Sequence, residues 1–269
     1  MKIEQAKQLS EQALDKLIQA LEAGKSETLK AYLAMMSRFR SYSLANLMLI
    51  AFQRPSAIRV AGFQTWKSMG RFVKKGEKGI VILAPIVVNR KNSQEAIEED
   101  GDEETRALRF KPVFVWAQDQ TDGRPIPELP TVQGDPGEYT ERLKAYVVQL
   151  GISLEYSKEI APAKGLSQGG KITLLPDLSP AENLSVLVHE LSHEQLHRTE
   201  RRAQTTRTIR ETEAEAVAFV VCQAIGLESN GSSADYVTLW NGNKETLLQS
   251  LRFIQDTASQ ILSAISPPD

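Results

Sequence analysis

Apolar positions recur at helical spacing near both ends of the chain and gather into short β-like runs in the middle of its first half. Leu14, Leu17, Ile18 and Leu21 form one stripe closed by Gly24, which predicts a first helix. A second helix is expected over residues 27–38. A third follows Ser43, a suitable N-cap, carries LANLMLIAF and stops before Pro55. From Ile58 the period changes, and residues 58–61, 79–88 and 111–117 read as strands, the last two paired with each other. In the second half the pattern predicts a helix over 137–150 and a strand over 171–175. A helix then opens at Ser179 with Pro180 at its first turn and Glu182 three residues on. Another spans 206–225 before Gly226, and a last amphipathic helix uses Leu247, Leu248, Leu251, Ile254, Ile261 and Leu262.

These elements make an α+β chain of two domains. Residues 1–130 form a helical and small-sheet module, and residues 131–269 a mostly helical one with a short sheet. The proline- and glycine-rich stretch 121–138 is the expected linker, with the boundary near Pro130. Residues 89–107 hold seven acidic side chains between Glu95 and Glu104 and are expected to be a solvated insertion.

Composition narrows the class. With 269 residues, 41% hydrophobic and 25% charged, the chain is ordinary globular material. No apolar run approaches the roughly 20 residues that span a bilayer, so no membrane partner is expected. The polar start MKIEQAKQLSEQ has no secretory apolar region, and one cysteine excludes an internal disulfide or a zinc site of several thiolates. A reducing, cytoplasmic setting is expected. Cys222 itself reads as a small core residue. The net charge of -2 conceals a split: residues 1–85 carry 14 Lys/Arg against 6 Asp/Glu, a balance of +8, which leaves -10 for the rest. Such a split suggests a basic module facing a polyanion, joined to a module with another task.

The candidate chemistry of the acidic half is His189-Glu190-Leu191-Ser192-His193. On a helix, a spacing of four sets the two imidazoles about 40° apart on one face, where both can bind one Zn²⁺. Glu190, one position round, can reach a water at the metal as a general base for attack on a carbonyl. A third ligand is needed. Glu211 and Glu215, four apart on the next long helix, share a face, with Glu213 pointing elsewhere. Glu211 is assigned as the ligand and Glu215 as the carboxylate that fixes a ligand imidazole's tautomer, the reverse assignment staying open. Mn²⁺ or Co²⁺ could substitute for zinc. His197 is expected to pack or to make a surface hydrogen bond, and the strand at 171–175 to offer an edge for an extended peptide.

The basic half differs. From Arg38 to Lys78 there are nine basic residues and one acidic one, with Phe39, Tyr42, Phe52, Phe63, Trp66 and Phe72 interleaved. Cations neutralise phosphates and exposed aromatics stack on unpaired bases. The candidates for DNA contact are Arg38, Arg40, Tyr42, Asn46, Arg54, Trp66, Lys67, Arg71, Lys74, Lys75 and Lys78.

A family resemblance rests on these residues. Arg40 through Asn46, Gln53-Arg54-Pro55, Ala61 through Lys67, Gly70 through Ile80 and Val115 through Thr121 resemble the N-terminal single-stranded-DNA-binding domain of ArdC-type antirestriction proteins. HELSHEQLH, the ExxxE of Glu211 and Glu215, and Tyr236 through Trp240 resemble that family's zincin-like metallopeptidase domain, related to the ImmA/IrrE peptidases. The resemblance implies a protein of mobile elements that coats incoming single-stranded DNA, and it supports Glu211 as a zinc ligand. Thermolysin-like peptidases use a further histidine at the oxyanion. None follows His197 here, so Tyr236 or an arginine would take that catalytic role. The expected protein partner is a substrate such as a repressor or a restriction subunit. The alternatives are a DNA-coating protein with a purely structural metal and an ImmA-like protease that cleaves a repressor.

Overall fold

The computed structural model describes residues 3–88, 107–126, 135–227, 239 and 243–267. The acidic segment, the expected boundary at Pro130 and Tyr236 lie outside the described residues. The architecture is α+β, with nine helices and eight strands among the described residues. No described helix is long and apolar enough to cross a membrane.

The chain divides into two compact units, Met1–Leu14 with Met48–Pro125, and Asp15–Leu47 with Ile126–Asp269. The division falls inside helices α1 (Ile3–Glu22) and α3 (Leu44–Gln53), so both contribute to each unit. Helix α2 (Ser26–Arg38) buries Leu29, Leu33, Met35 and Met36 and packs against α8 (Arg207–Ala224), which places it with the C-terminal elements. A linear charge count cannot see such a return of the chain.

In the first unit, β1 (Val60–Ala61), β4 (Ala107–Ala117) and β3 (Ile80–Val88) form an antiparallel sheet in the order β1-β4-β3. The β3–β4 register is continuous from Ile80 opposite Val115 to Val88 opposite Ala107. Gln53, at the end of α3, extends that ladder: its amide nitrogen donates to the Val81 carbonyl at 2.9 Å and its amide oxygen accepts from Val81 N–H at 3.0 Å. A two-stranded ribbon pairs β2 (Arg71–Val73) with β5 (Thr121–Gly123). A Cβ at Gly123 would lie 2.3 Å from the Gly70 carbonyl oxygen, so this crossing accepts only glycine. The short helix α4 (Phe63–Ser68) was not anticipated by periodicity, and it is anchored by Trp66.

The second unit is mainly helical: α2, α5 (Glu138–Gln149), α6 (Pro180–Leu196), α7 (Thr199–Gln204), α8 and α9 (Lys244–Ile265). Helix α8 is central and packs against α2, α6 and α9. A three-stranded sheet, in the order β6-β8-β7, joins β6 (Ser153–Tyr156) parallel and β7 (Gly165–Ser167) antiparallel to β8 (Lys171–Leu174). The expected edge strand at 171–175 is therefore the middle strand. Two short flanking strands, too brief and too polar to show a period, cover both of its sides.

Candidate metal centre

Local sequence fixes α6 before any metal is considered. Ser179 Oγ accepts from Glu182 N–H at 3.4 Å while Glu182 Oε2 accepts from Ser179 N–H at 3.2 Å, the reciprocal box anticipated for this start. Leu184, Leu187, Val188 and Leu191 are buried, which sets the rotation of the helix. Glu194, one residue past His193, locks its height. Its carboxylate accepts from Ser167 Oγ at 2.6 Å and from Gly169 and Gly170 N–H at 2.7 Å each, so the β7–β8 turn is tied to the helix. Opposite, α8 starts at Thr206, whose hydroxyl accepts from Ile209 N–H at 3.2 Å, and presents Glu211 and Glu215 one turn apart.

His189 Nε2 and His193 Nε2 lie 3.1 Å apart, and Glu211 Oε2 stands 3.6 Å from the first and 3.5 Å from the second. Donors around a tetrahedral ion at bond lengths of about 2.0–2.1 Å are separated by about 3.3 Å, so these three atoms fit a single divalent cation. Glu215 Oε2 lies 3.5 Å from Nδ1 of His189, the opposite ring nitrogen. Even without a metal the site favours a protonated His189 beside a charged Glu211 carboxylate. Burial would depress the His189 pKa, but Glu211 and Glu215 outweigh it and lift it to about 9. The adjacent imidazoles of His189 and His193 hold Glu211 far below the usual carboxylate range. The Glu211 side chain is 52% exposed, which leaves one side of the cluster open to water.

Glu190 is 8% exposed, and its pKa is raised by burial against the opposing pull of His189 and His193, which suits a general base. It leans on edge strand β7: a Cβ at Gly165 would sit 2.6 Å from Glu190 Oε1 and 2.7 Å from Val186 Cγ1. Cys222 is fully buried, as expected, and burial pushes its thiol up to about 12.

Sequence reasoning missed one group. Of the two roles expected for His197 it takes the packed one, its side chain 0% exposed, but within a buried polar chain. Its Nδ1 lies 3.0 Å from His193 Nδ1, and its Nε2 lies 2.9 Å from Oε2 of the equally buried Glu213. Arg201 donates to the other Glu213 oxygen. Burial alone would raise the Glu213 pKa, but hydrogen bonds from His197, Ser250 and Arg201 hold it below the ordinary value. Burial lowers that of His197. The signal in the sequence was the repeated spacing of four, His189, His193, His197, on one helix.

The basic residues scatter by comparison. Arg54, Lys75 and Lys78 line one groove of the first unit together with Gln120, and Lys67 and Lys74 are exposed. Trp66 is fully buried and donates its indole N–H to the Trp116 carbonyl at 2.8 Å, so it cannot stack on a base, contrary to expectation. Arg71 is absorbed by the β2–β5 ribbon, donating to Thr121 Oγ1 at 2.9 Å and to the Thr121 carbonyl at 2.7 Å. Arg54 pairs with Asp119 at 2.6 Å, and Lys74 lies 3.5 Å from Asp122. Arg38, Arg40, Tyr42 and Asn46 belong to the second unit, with Asn46 buried and Arg40 donating to Ser266 Oγ at 3.0 Å. The exposed rings of the first unit are Phe63, Phe72, Phe110 and Phe114, the last two unmarked in the sequence because they lie outside its basic stretch.

Residues 7–116 match the family described as the N-terminal domain of anti-restriction factor ArdC. The chain is similar to two crystal structures of the antirestriction protein ArdC from plasmid R388. The metal-free form is 19% identical, covers 96% of this chain and 97% of that one, and has a TM-score of 0.58. The Mn(II)-bound form is 20% identical, covers 97% and 99%, and has a TM-score of 0.60. At these identities the likeness is one of fold. Among curated proteins, the uncharacterized protein pXO2-81 of Bacillus anthracis is 24% identical across 97% of this chain. The chain spans about half, 52%, of that relative's length.

Proposed function

We propose that this chain, whose residues 7–116 match the N-terminal domain of ArdC and whose fold is that of ArdC, is an antirestriction protein that binds single-stranded DNA through its first unit and one divalent cation through its second. The observation that carries the metal reading is the convergence of His189 Nε2, His193 Nε2 and Glu211 Oε2 within 3.1–3.6 Å of one another. Further support comes from the R388 relative, solved with Mn(II) bound. In this reading His189, His193 and Glu211 are the ligands, and the cation is Zn²⁺, with Mn²⁺ or Co²⁺ as substitutes. Glu215 accepts the Nδ1 proton of His189, so that Nε2 keeps its lone pair for the metal.

The same site has the parts of a peptidase. When bound, a divalent cation supplies a Lewis acid that polarises a carbonyl and acidifies water. Glu190 takes the proton from the attacking water and passes it to the leaving amine, and its raised pKa strengthens it as the base of the first transfer. Edge strand β7 orients an extended peptide beside Glu190. The substrate class is a protein of the restriction or repressor machinery. Replacing Glu190 by Gln is expected to leave metal content unchanged and to stop cleavage of restriction subunits in cells carrying a restriction system. Equal subunit levels with wild type and variant would remove the peptidase from this account and leave the metal as a link between α6 and α8.

The DNA reading rests on the exposed lysines and phenylalanines of the first unit. Lys75, Lys78 and Arg54 line one groove, Lys67 is exposed elsewhere on the unit, and the phenyl rings offer stacking surfaces.

A further inference from the structure

We infer that His197 and Glu213 are positioning residues that fix the ring of His193 with its Nε2 lone pair facing the metal, a role that rests on the metal reading above. Glu213 receives His197 on one carboxylate oxygen and Arg201 on the other, and a carboxylate so placed only accepts. The single proton of a neutral His197 therefore sits on Nε2, 2.9 Å from Glu213 Oε2, which leaves His197 Nδ1 an acceptor. That acceptor lies 3.0 Å from His193 Nδ1, so the proton of His193 sits on Nδ1 and its Nε2 is bare. Each proton is used once and no donor faces a donor. The opposite tautomer of His193 would set two Nδ1 lone pairs against each other and aim an N–H at His189 and Glu211.

The two histidines of the pair are thus oriented by different devices. His189 has one partly exposed carboxylate at 3.5 Å. His193 has a chain of shorter contacts through side chains with 0% exposure, closed by Arg201, whose guanidinium also stacks 3.7 Å above Phe253. Burial makes the second device the stiffer one, because a misplaced proton there has no water to meet.

The test uses the full chain and reads metal affinity by competition with a chromophoric chelator, alongside thermal unfolding of the metal-free protein. His197→Leu removes the acceptor and is expected to weaken Zn²⁺ binding by about 10–100-fold, while His197→Asn, whose amide oxygen replaces Nδ1, recovers most of that loss. Co²⁺-loaded samples should show an altered ligand-field spectrum for Leu and a near-native one for Asn. Wild-type affinity in a folded His197→Leu protein overturns the inference. Where that variant fails to fold, Glu213→Gln, of the same shape, decides by the same measure, an affinity within twofold of wild type overturning it. A wild-type chain that binds no Zn²⁺ removes the metal reading itself, and the positioning role falls with it.

Discussion

The candidate metal cluster of the second unit and the basic groove of the first were both marked by charged and polar residues, yet the fold treats them in opposite ways. Around α6 the titratable side chains are aimed at one another: His189, His193 and Glu211 converge on one point, and His197, Glu213 and Arg201 stand behind them. Around β2 to β5 several cations are already paired within the fold. Arg71 ties a ribbon, Arg54 is held by Asp119, and Trp66 fills the core. The difference teaches that spacing on a helix carries direction, whereas charge density along a chain carries none. A residue four positions from another on a helix must share its face. A basic residue in a mixed α/β stretch can face solvent, an acid or a carbonyl with equal ease.

Substitutions can sharpen this contrast. The largest effect on the basic side should come from Trp66→Ala, which empties a fully buried site and is expected to cost about 3–5 kcal/mol by denaturant unfolding. A loss of DNA affinity with unchanged stability would instead return Trp66 to the binding surface. On the metal side, pH separates proton from cation. The folded, metal-free pKa of His189, about 9, lies above the ordinary imidazole value of 6.5. The stability this group contributes is therefore fully present below 6.5 and lost as pH rises through about 9. Metal affinity should run the other way and climb with pH until about 9, since the ligand must shed that proton. A metal-free melting temperature that rises between pH 6.5 and 9, or an affinity flat across that range, would contradict the assignment. The smallest effect is expected for Lys75→Ala with Lys78→Ala. The pair should lower the salt slope of oligonucleotide binding by about 1.4, roughly 0.7 per phosphate contact on a single strand. An unchanged slope would place the DNA elsewhere on the unit.

The helices of this protein were largely legible in its sequence. The cap at Ser179, the start of α8 next to Thr206 and the apolar stripes of α6, α8 and α9 stand where the sequence pattern sets them. Strands β6 and β7 were not legible, because three- and four-residue strands show no alternation, and their presence moved the open edge from Lys171–Leu174 to Gly165–Ser167. The partition of the chain was hidden for another reason: α2 finds its apolar partner in α8, far along the sequence. In the candidate site, the histidine pair and the two α8 glutamates followed from helical spacing. His197 and Glu213 did not, since only burial turns an ordinary histidine and an acid into a fixed pair.

The measurement that bears most directly on the central claim is the metal content of the purified full chain beside His193→Ala and Glu211→Ala, each checked for folding. The account predicts about one divalent ion per wild-type chain and a loss of that ion in both folded variants. A wild-type chain without metal, or a Glu211→Ala protein that retains a full equivalent at undiminished affinity, would contradict it.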